Sequence, residues 1–203
     1  MSKAPMNISI VLILLIGGFS AAVAADHIGV FLDITADTVC DDVPEELSNG
    51  FSFEMWVAIL EPSSPEIWGV EYRLCTVFPG LVGLFLEESF FAGLVEDPGN
   101  TAYCGAGRNV RFTAPIIPVD GVALIAYYKM GSFSSDAEID TYLSQPDVFT
   151  IDDGLPAYIG VGEQAIPLNV TSGNTGLPVL SINGCRTVGS RQISFDALKT
   201  LYR

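Results

Sequence analysis

Residues 51–60 read FSFEMWVAIL, with Phe51, Phe53, Met55, Val57 and Ile59 on one side and Ser52 and Glu54 on the other. A side-chain period of two belongs to a strand with one buried face, because consecutive residues of an extended chain point to opposite sides. Residues 67–78 repeat the pattern, with Val70, Tyr72 and Leu74 on one face and Glu71, Arg73 and Cys75 on the other. Further short runs rich in β-branched and aromatic residues lie at 28–34, 81–86, 90–95, 109–113, 119–130, 148–151, 165–170 and 179–182. Glycine and proline fence these runs and end any helix that starts between them. Before residue 190 only 136–143 shows helical spacing, and weakly. Nine or ten strands without interleaved helices predict an all-β fold: an antiparallel β-sandwich, with a closed barrel as the alternative.

Residues 1–25 are set apart from that pattern. Lys3 is followed by an apolar stretch over 8–16, the break Gly17-Gly18, and the small residues Ala22-Val23-Ala24-Ala25. This order of charged start, apolar middle and small-residue site predicts a secretory signal peptide. An uncleaved anchor is the rival reading, but the apolar stretch is about half of a membrane span. The expected product is secreted, periplasmic or at the cell surface, with no stable membrane insertion after cleavage behind Ala24 or Ala25. The expected organisation is therefore signal peptide 1–25, β-sandwich domain 26–189 and a short C-terminal tail, 190–203.

Export bears on the cysteines. Cys40, Cys75, Cys104 and Cys185 form an even set in an oxidising compartment, which predicts two disulfides. Joining Cys75 to Cys104 and Cys40 to Cys185 is preferred, with Cys40 to Cys104 the alternative. The formal charge is −15 at pH 7, and all acidic residues follow residue 25. Such a chain repels phosphate backbones, so no nucleic-acid partner is expected. The charge keeps an exported protein soluble, or offers an acidic face to calcium or basic partners.

The search for chemistry is narrowed by a single histidine, His27. It stands too near the expected mature start to be held in a Ser-His-Asp or Cys-His site. If cleavage follows Ala24, Ala25-Asp26-His27 could offer four nitrogens in a plane to Cu²⁺ or Ni²⁺. Carboxylate chemistry needs two acids facing across a cleft, and Glu54 with Glu71 is the candidate pair, with Trp56 and Trp68 as weak ligand-binding aromatics. Asp136, Glu138 and Asp140 are weak candidates for a structural calcium ion, lacking the glycine at the sixth position (Thr141) and the glutamate at the twelfth (Asp147). Asp37, Asp41 and Asp42 form a second acidic loop, and Asp152-Asp153-Gly154 reads as a turn. Of the adjacent pairs Tyr127-Tyr128 and Phe90-Phe91, one member each is expected in the core. At the C-terminus, Ile193, Leu198, Leu201 and Tyr202 lie near helical spacing behind Ser194, a possible cap, so the tail is expected as a short helix or a recognised tag.

Two resemblances complete the reading. The start Asp26-His27-Ile28-Gly29 and the end Lys199-x-Leu201-Tyr202-Arg203 resemble a group of uncharacterised exported bacterial proteins running from a DHIG-type start to a K-x-L-Y-R-type end. Residues 53–74, with the step Trp68-Gly69-Val70-Glu71, resemble a cohesin-type β-sandwich in the wider immunoglobulin-like class. Neither resemblance brings a catalytic residue or a cofactor. They imply an exported, non-catalytic binding or adhesion module for a protein or carbohydrate ligand, acting through strand edges, loops or aromatic patches. The alternatives are an envelope-associated assembly subunit and, behind it, a carboxylate-based glycosidase.

Overall fold

The computed structural model describes residues 26–41, 51–78, 84–96, 104–132 and 138–184. Among these residues thirteen strands run in order: β1 (His27–Phe31), β2 (Cys40–Asp41), β3 (Phe51–Leu60), β4 (Ile67–Val77), β5 (Leu84–Phe90), β6 (Leu94–Glu96), β7 (Arg108–Ile116), β8 (Val122–Ser132), β9 (Ile139–Ser144), β10 (Ala157–Ile159), β11 (Ala165–Pro167), β12 (Asn169–Val170) and β13 (Leu180–Ile182). One sheet has the order β12-β1-β3-β8-β5. The other follows β11-β10-β4-β9-β13-β2, with β7 beside β4 and β6 beside β7. The pairings are antiparallel except β1–β12 and β2–β13. The fold is a β-sandwich of two sheets rather than the closed barrel kept as the alternative, and either would satisfy the period-two runs. Among the described residues no helix is long and apolar enough to cross a membrane.

The core lies between the sheets. Ile28, Val30, Met55, Val57, Ile59, Tyr128 and Met130 come from the first sheet, and Val70, Tyr72, Leu74, Val110, Phe112, Leu143 and Tyr158 from the second. Opposite Val57 and Ala58 the register slips by one residue on β8, so that both Ile125 and Ala126 are buried. A bulge of this kind bends the strand and sharpens its twist. The β4–β7 contact is close: a Cβ at Gly69 would lie 2.5 Å from the Val110 carbonyl oxygen, so a larger residue there would push the ladder apart.

Polar groups also cross the interior. The Tyr72 and Tyr128 hydroxyls meet at 2.7 Å, and Arg108 of β7 pairs with Glu88 of β5. Each sheet thus contributes one tyrosine and one charge, and the partners satisfy groups that burial would otherwise penalise. At the start of the domain, the Asp26 carboxylate accepts the Tyr158 hydroxyl at 2.7 Å, the Ser63 N–H at 2.6 Å and the Ser63 hydroxyl at 2.9 Å.

Several expected boundaries are corrected. Residues 119–130 do not form one strand. Asp120 and Gly121 adopt positive φ, and Val119 pairs with Val122 across them, which is a two-residue hairpin. Asp-Gly suits that turn because both central residues need left-handed backbone. Residues 136–143 are not helical where described: β9 buries Ile139, Thr141 and Leu143 in alternation. The run 165–170 divides at Leu168, placing β11 in one sheet and β12 in the other. Residues 148–151 form no strand, because their backbone groups are taken by side chains, as described below.

Cys75 and Cys104 are bonded, with Cα atoms 4.2 Å apart, and tie β4 to the turn before β7. Cys40 is also in a disulfide. Cys185, the 1–25 segment and the 190–203 tail lie outside the described residues.

Candidate binding surface

The two outer faces of the sandwich differ. On the eight-stranded sheet, residues 145–155 cross the outward side of β4 and β7 and are held there by polar side chains. Thr150 donates its N–H to Glu71 Oε2 at 2.8 Å and its hydroxyl to Glu71 Oε1. Arg111 pairs with the same carboxylate at 3.2 Å, Arg73 pairs with Asp147, and Asn109 Nδ2 donates to the Val148 carbonyl at 3.1 Å. The Glu71 side chain is consequently only 1% exposed. An outward carboxylate expected in solvent has become the anchor of a strap.

On the five-stranded sheet, one end of the outer face is roofed by residues 32–39. Phe31, Ala36 and Ala58 are buried there, with Val39, Leu60, Val122 and Leu124 packed around them. The Asp33 carboxylate organises the roof by accepting the N–H groups of Thr35 at 2.9 Å and Thr38 at 2.6 Å. Partial burial pushes the Asp33 carboxyl up, but hydrogen bonds from Thr35, Thr38 and Asp37 outweigh it and hold it at about 2.

Beyond the roof the face stays open among the described residues. Three strands in register build it from two rungs. Trp56 of β3 stands opposite Tyr127 of β8, and Tyr127 opposite Ser89 of β5; the aromatic rings meet edge-on at 5.5 Å. The neighbouring rung runs Glu54, Lys129, Glu87. Desolvation raises the Tyr127 hydroxyl's pKa first, and the hydrogen bond and charge of Glu54, then the charge of Glu87, raise it further. A half-buried aromatic pair beside exposed carboxylates can stack on an apolar surface while its rim binds cations or donors.

The residues singled out from sequence separate. Glu54 and Glu71 do not face one another: they project outward from different sheets, with the whole core between them, so the pair expected for glycoside hydrolysis is not assembled. Trp56 lies on the open face, whereas Trp68 belongs to the other sheet and donates its indole N–H to Glu66 at 2.9 Å. Tyr128 is core and Tyr127 outward. Phe90 packs against Phe112 at 6.4 Å between ring centroids, whereas Phe91 is 48% exposed. His27 opens β1 between Leu60 and Asn169, so its backbone is committed to the sheet rather than free to wrap a metal. Asp140 accepts the hydroxyls of Ser181 and, at 3.5 Å, Tyr142. Among the described residues no three His, Cys, Asp or Glu side chains converge on a metal position; Asp136 lies outside them.

The Glu54–Lys129–Glu87 rung was missed by sequence reading. The signal was half present, since Lys129 has the same parity as Tyr127 in β8. What was absent was the pairing that brings Glu87 alongside, because Glu87-Glu88-Ser89 reads as a break between strands.

No family model matches the chain, and no curated protein matches it either. Among solved structures it is similar in fold to cohesin modules. The sixth cohesin of scaffoldin B from Acetivibrio cellulolyticus, solved with a dockerin, superposes with TM-score 0.47 at 13% identity, covering 78% of this chain and 98% of that one. A cohesin module of a family 33 glycoside hydrolase from Clostridium perfringens gives 0.43 at 11%, covering 71% and 90%. A non-cellulosomal cohesin from Archaeoglobus fulgidus gives 0.43 at 7%, covering 78% and 88%. At these identities the likeness is one of fold.

Proposed function

We propose that this chain is an exported, non-catalytic binding module that grips a protein partner with the open outer face of its five-stranded sheet. The observation that carries the reading is the contrast between the two faces. One is sealed by a strap with its charges consumed internally, whereas the other leaves Trp56 and Tyr127 half exposed beside Glu54 and Glu87. Large aromatics in such a setting supply much contact area for little lost side-chain freedom, and they dominate the energetics of many interfaces. The formal charge of −15 selects for a cationic partner surface and speeds encounter with it.

The reading is tested by panning the secreted protein against a displayed random-peptide library and, in parallel, a glycan array. Selected peptides are expected to be rich in Lys and Arg, and Trp56→Ala should weaken their binding about tenfold or more. Glycan binding lost in the same variant would make the chain a carbohydrate-binding module instead. Peptides indifferent to Trp56→Ala would remove this face from the mechanism.

A further inference from the structure

Strand β5 forms one margin of the open face, and among the described residues it pairs only with β8. The next strand, β6, pairs among the described residues with β7 of the other sheet, so the chain crosses between sheets along this side. Leu86, Phe91 and Leu94 are exposed there by 50%, 48% and 41%. A strand margin presents unpaired N–H and C=O groups, and exposed apolar side chains beside it favour addition of another strand.

The ladder identifies what kind of strand. Across β3, β8 and β5 the charged rung alternates in sign, Glu54 then Lys129 then Glu87, and ends on an exposed carboxylate. Opposite charges directly across a ladder stabilise it and like charges destabilise it. A strand added outside β5 therefore meets Glu87, and a lysine or arginine at that rung continues the alternation. Antiparallel self-pairing is disfavoured by the same residue. Glu87 is the middle of β5, and a two-fold pairing centred there sets one Glu87 against another. The bulge at Leu86, where the β5–β8 register slips, restricts the regular margin to 87–90. Glu87 and the bulge together guard against indiscriminate association while leaving a short register open to a cation.

We infer that β5 is a β-strand addition site for an extended partner segment alternating apolar residues with Lys or Arg. The inference rests on the binding-module reading but concerns a margin two strands away from Trp56, so the two are separable. The test is fluorescence anisotropy of a labelled short peptide alternating valine and lysine, titrated with the secreted protein. Its valine–glutamate counterpart and a copy N-methylated at two consecutive central residues, which lacks donors on both edges, serve as probes beside it.

Saturable binding of the lysine peptide is expected, with none by the other two. Glu87→Lys should weaken it by roughly fivefold or more, from an attractive rung turned repulsive. Asp152→Lys, which makes the same change in net charge on an exposed loop, should leave it unchanged. Failure of the lysine peptide to bind, equal binding by the methylated copy, or equal weakening by Glu87→Lys and Asp152→Lys would each overturn the proposal. So would dimerisation of the protein abolished by Ser89→Pro, which assigns the margin to a second copy. Sensitivity of library peptides to Trp56→Ala without any effect of Glu87→Lys leaves the face reading standing and the margin reading refuted.

Discussion

Asp33 shows how much one carboxylate can organise. It satisfies donors on Thr35, Asp37 and Thr38, closing a loop whose Ala36 is buried over Ala58. Because its folded pKa is depressed to about 2, its contribution is fully present above the ordinary value near 3.8 and is lost as pH falls through about 2. A carboxyl carbon shift that titrates near 2 in the folded protein is the expected NMR result, with a midpoint near 4 refuting it. Asp33→Ala should cost about 1–2 kcal/mol at pH 7 in urea unfolding, since several charge-assisted hydrogen bonds go with it. Of the acidic loop expected at Asp37, Asp41 and Asp42, only Asp37 belongs here, since Asp41 lies in β2 and Asp42 is outside the described residues, and the organising residue is Asp33. Hydrophobic periodicity had placed it inside a strand over 28–34, and such patterns do not report which carboxylate turns back on its own backbone.

Elements were legible where apolar and polar residues alternate along the chain. Strand β3 matches its period-two run from end to end, and β4 differs by one residue. Reading failed where a polar residue was satisfied by a distant partner. Glu87-Glu88-Ser89 interrupts an apolar pattern, but Glu88 pairs with Arg108 and Glu87 stands at a sheet margin, so β5 passes straight through. The 145–155 strap failed in the opposite sense: Val148 to Ile151 has strand composition, but Glu71, Asn109 and Gln145 take its backbone groups before any strand can. Glu71→Ala should therefore cost about 3 kcal/mol, because it leaves a third-exposed Arg111 and the Thr150 donors without their shared acceptor. Limited proteolysis should then cut within 145–155. Glu54→Ala, on the open face, should stay within about 0.5 kcal/mol. Equal effects in urea unfolding would refute the anchor role.

At the scale of the whole molecule, the Tyr72–Tyr128 contact joins the sheets through their shared core. Burial holds the Tyr128 hydroxyl well above its ordinary range, with the charges and hydrogen bonds of Tyr72 and Glu88 adding to it. That neutral phenol contributes stability fully present below the unfolded value near 10 and lost as pH climbs above it toward the folded value. Wild type minus Tyr128→Phe difference absorbance should show no tyrosinate until the protein unfolds in alkali; a titration near pH 10 in the folded state would contradict the buried contact. The sequence by itself determined the all-β class, because alternation, turn residues and the lack of helical periodicity are local properties; the choice of two packed sheets over a closed barrel was made by the tertiary structure, since strand pairing joins distant segments. The sequence favoured the Cys75–Cys104 pairing, from cysteines on sequence-near elements, and the tertiary structure chose that pairing over Cys40–Cys104. Only the tertiary structure decided which outward residues remain outward. Glu54 and Glu71 have the same local pattern, yet one meets water and the other a strap, because solvent access depends on chain segments dozens of residues away.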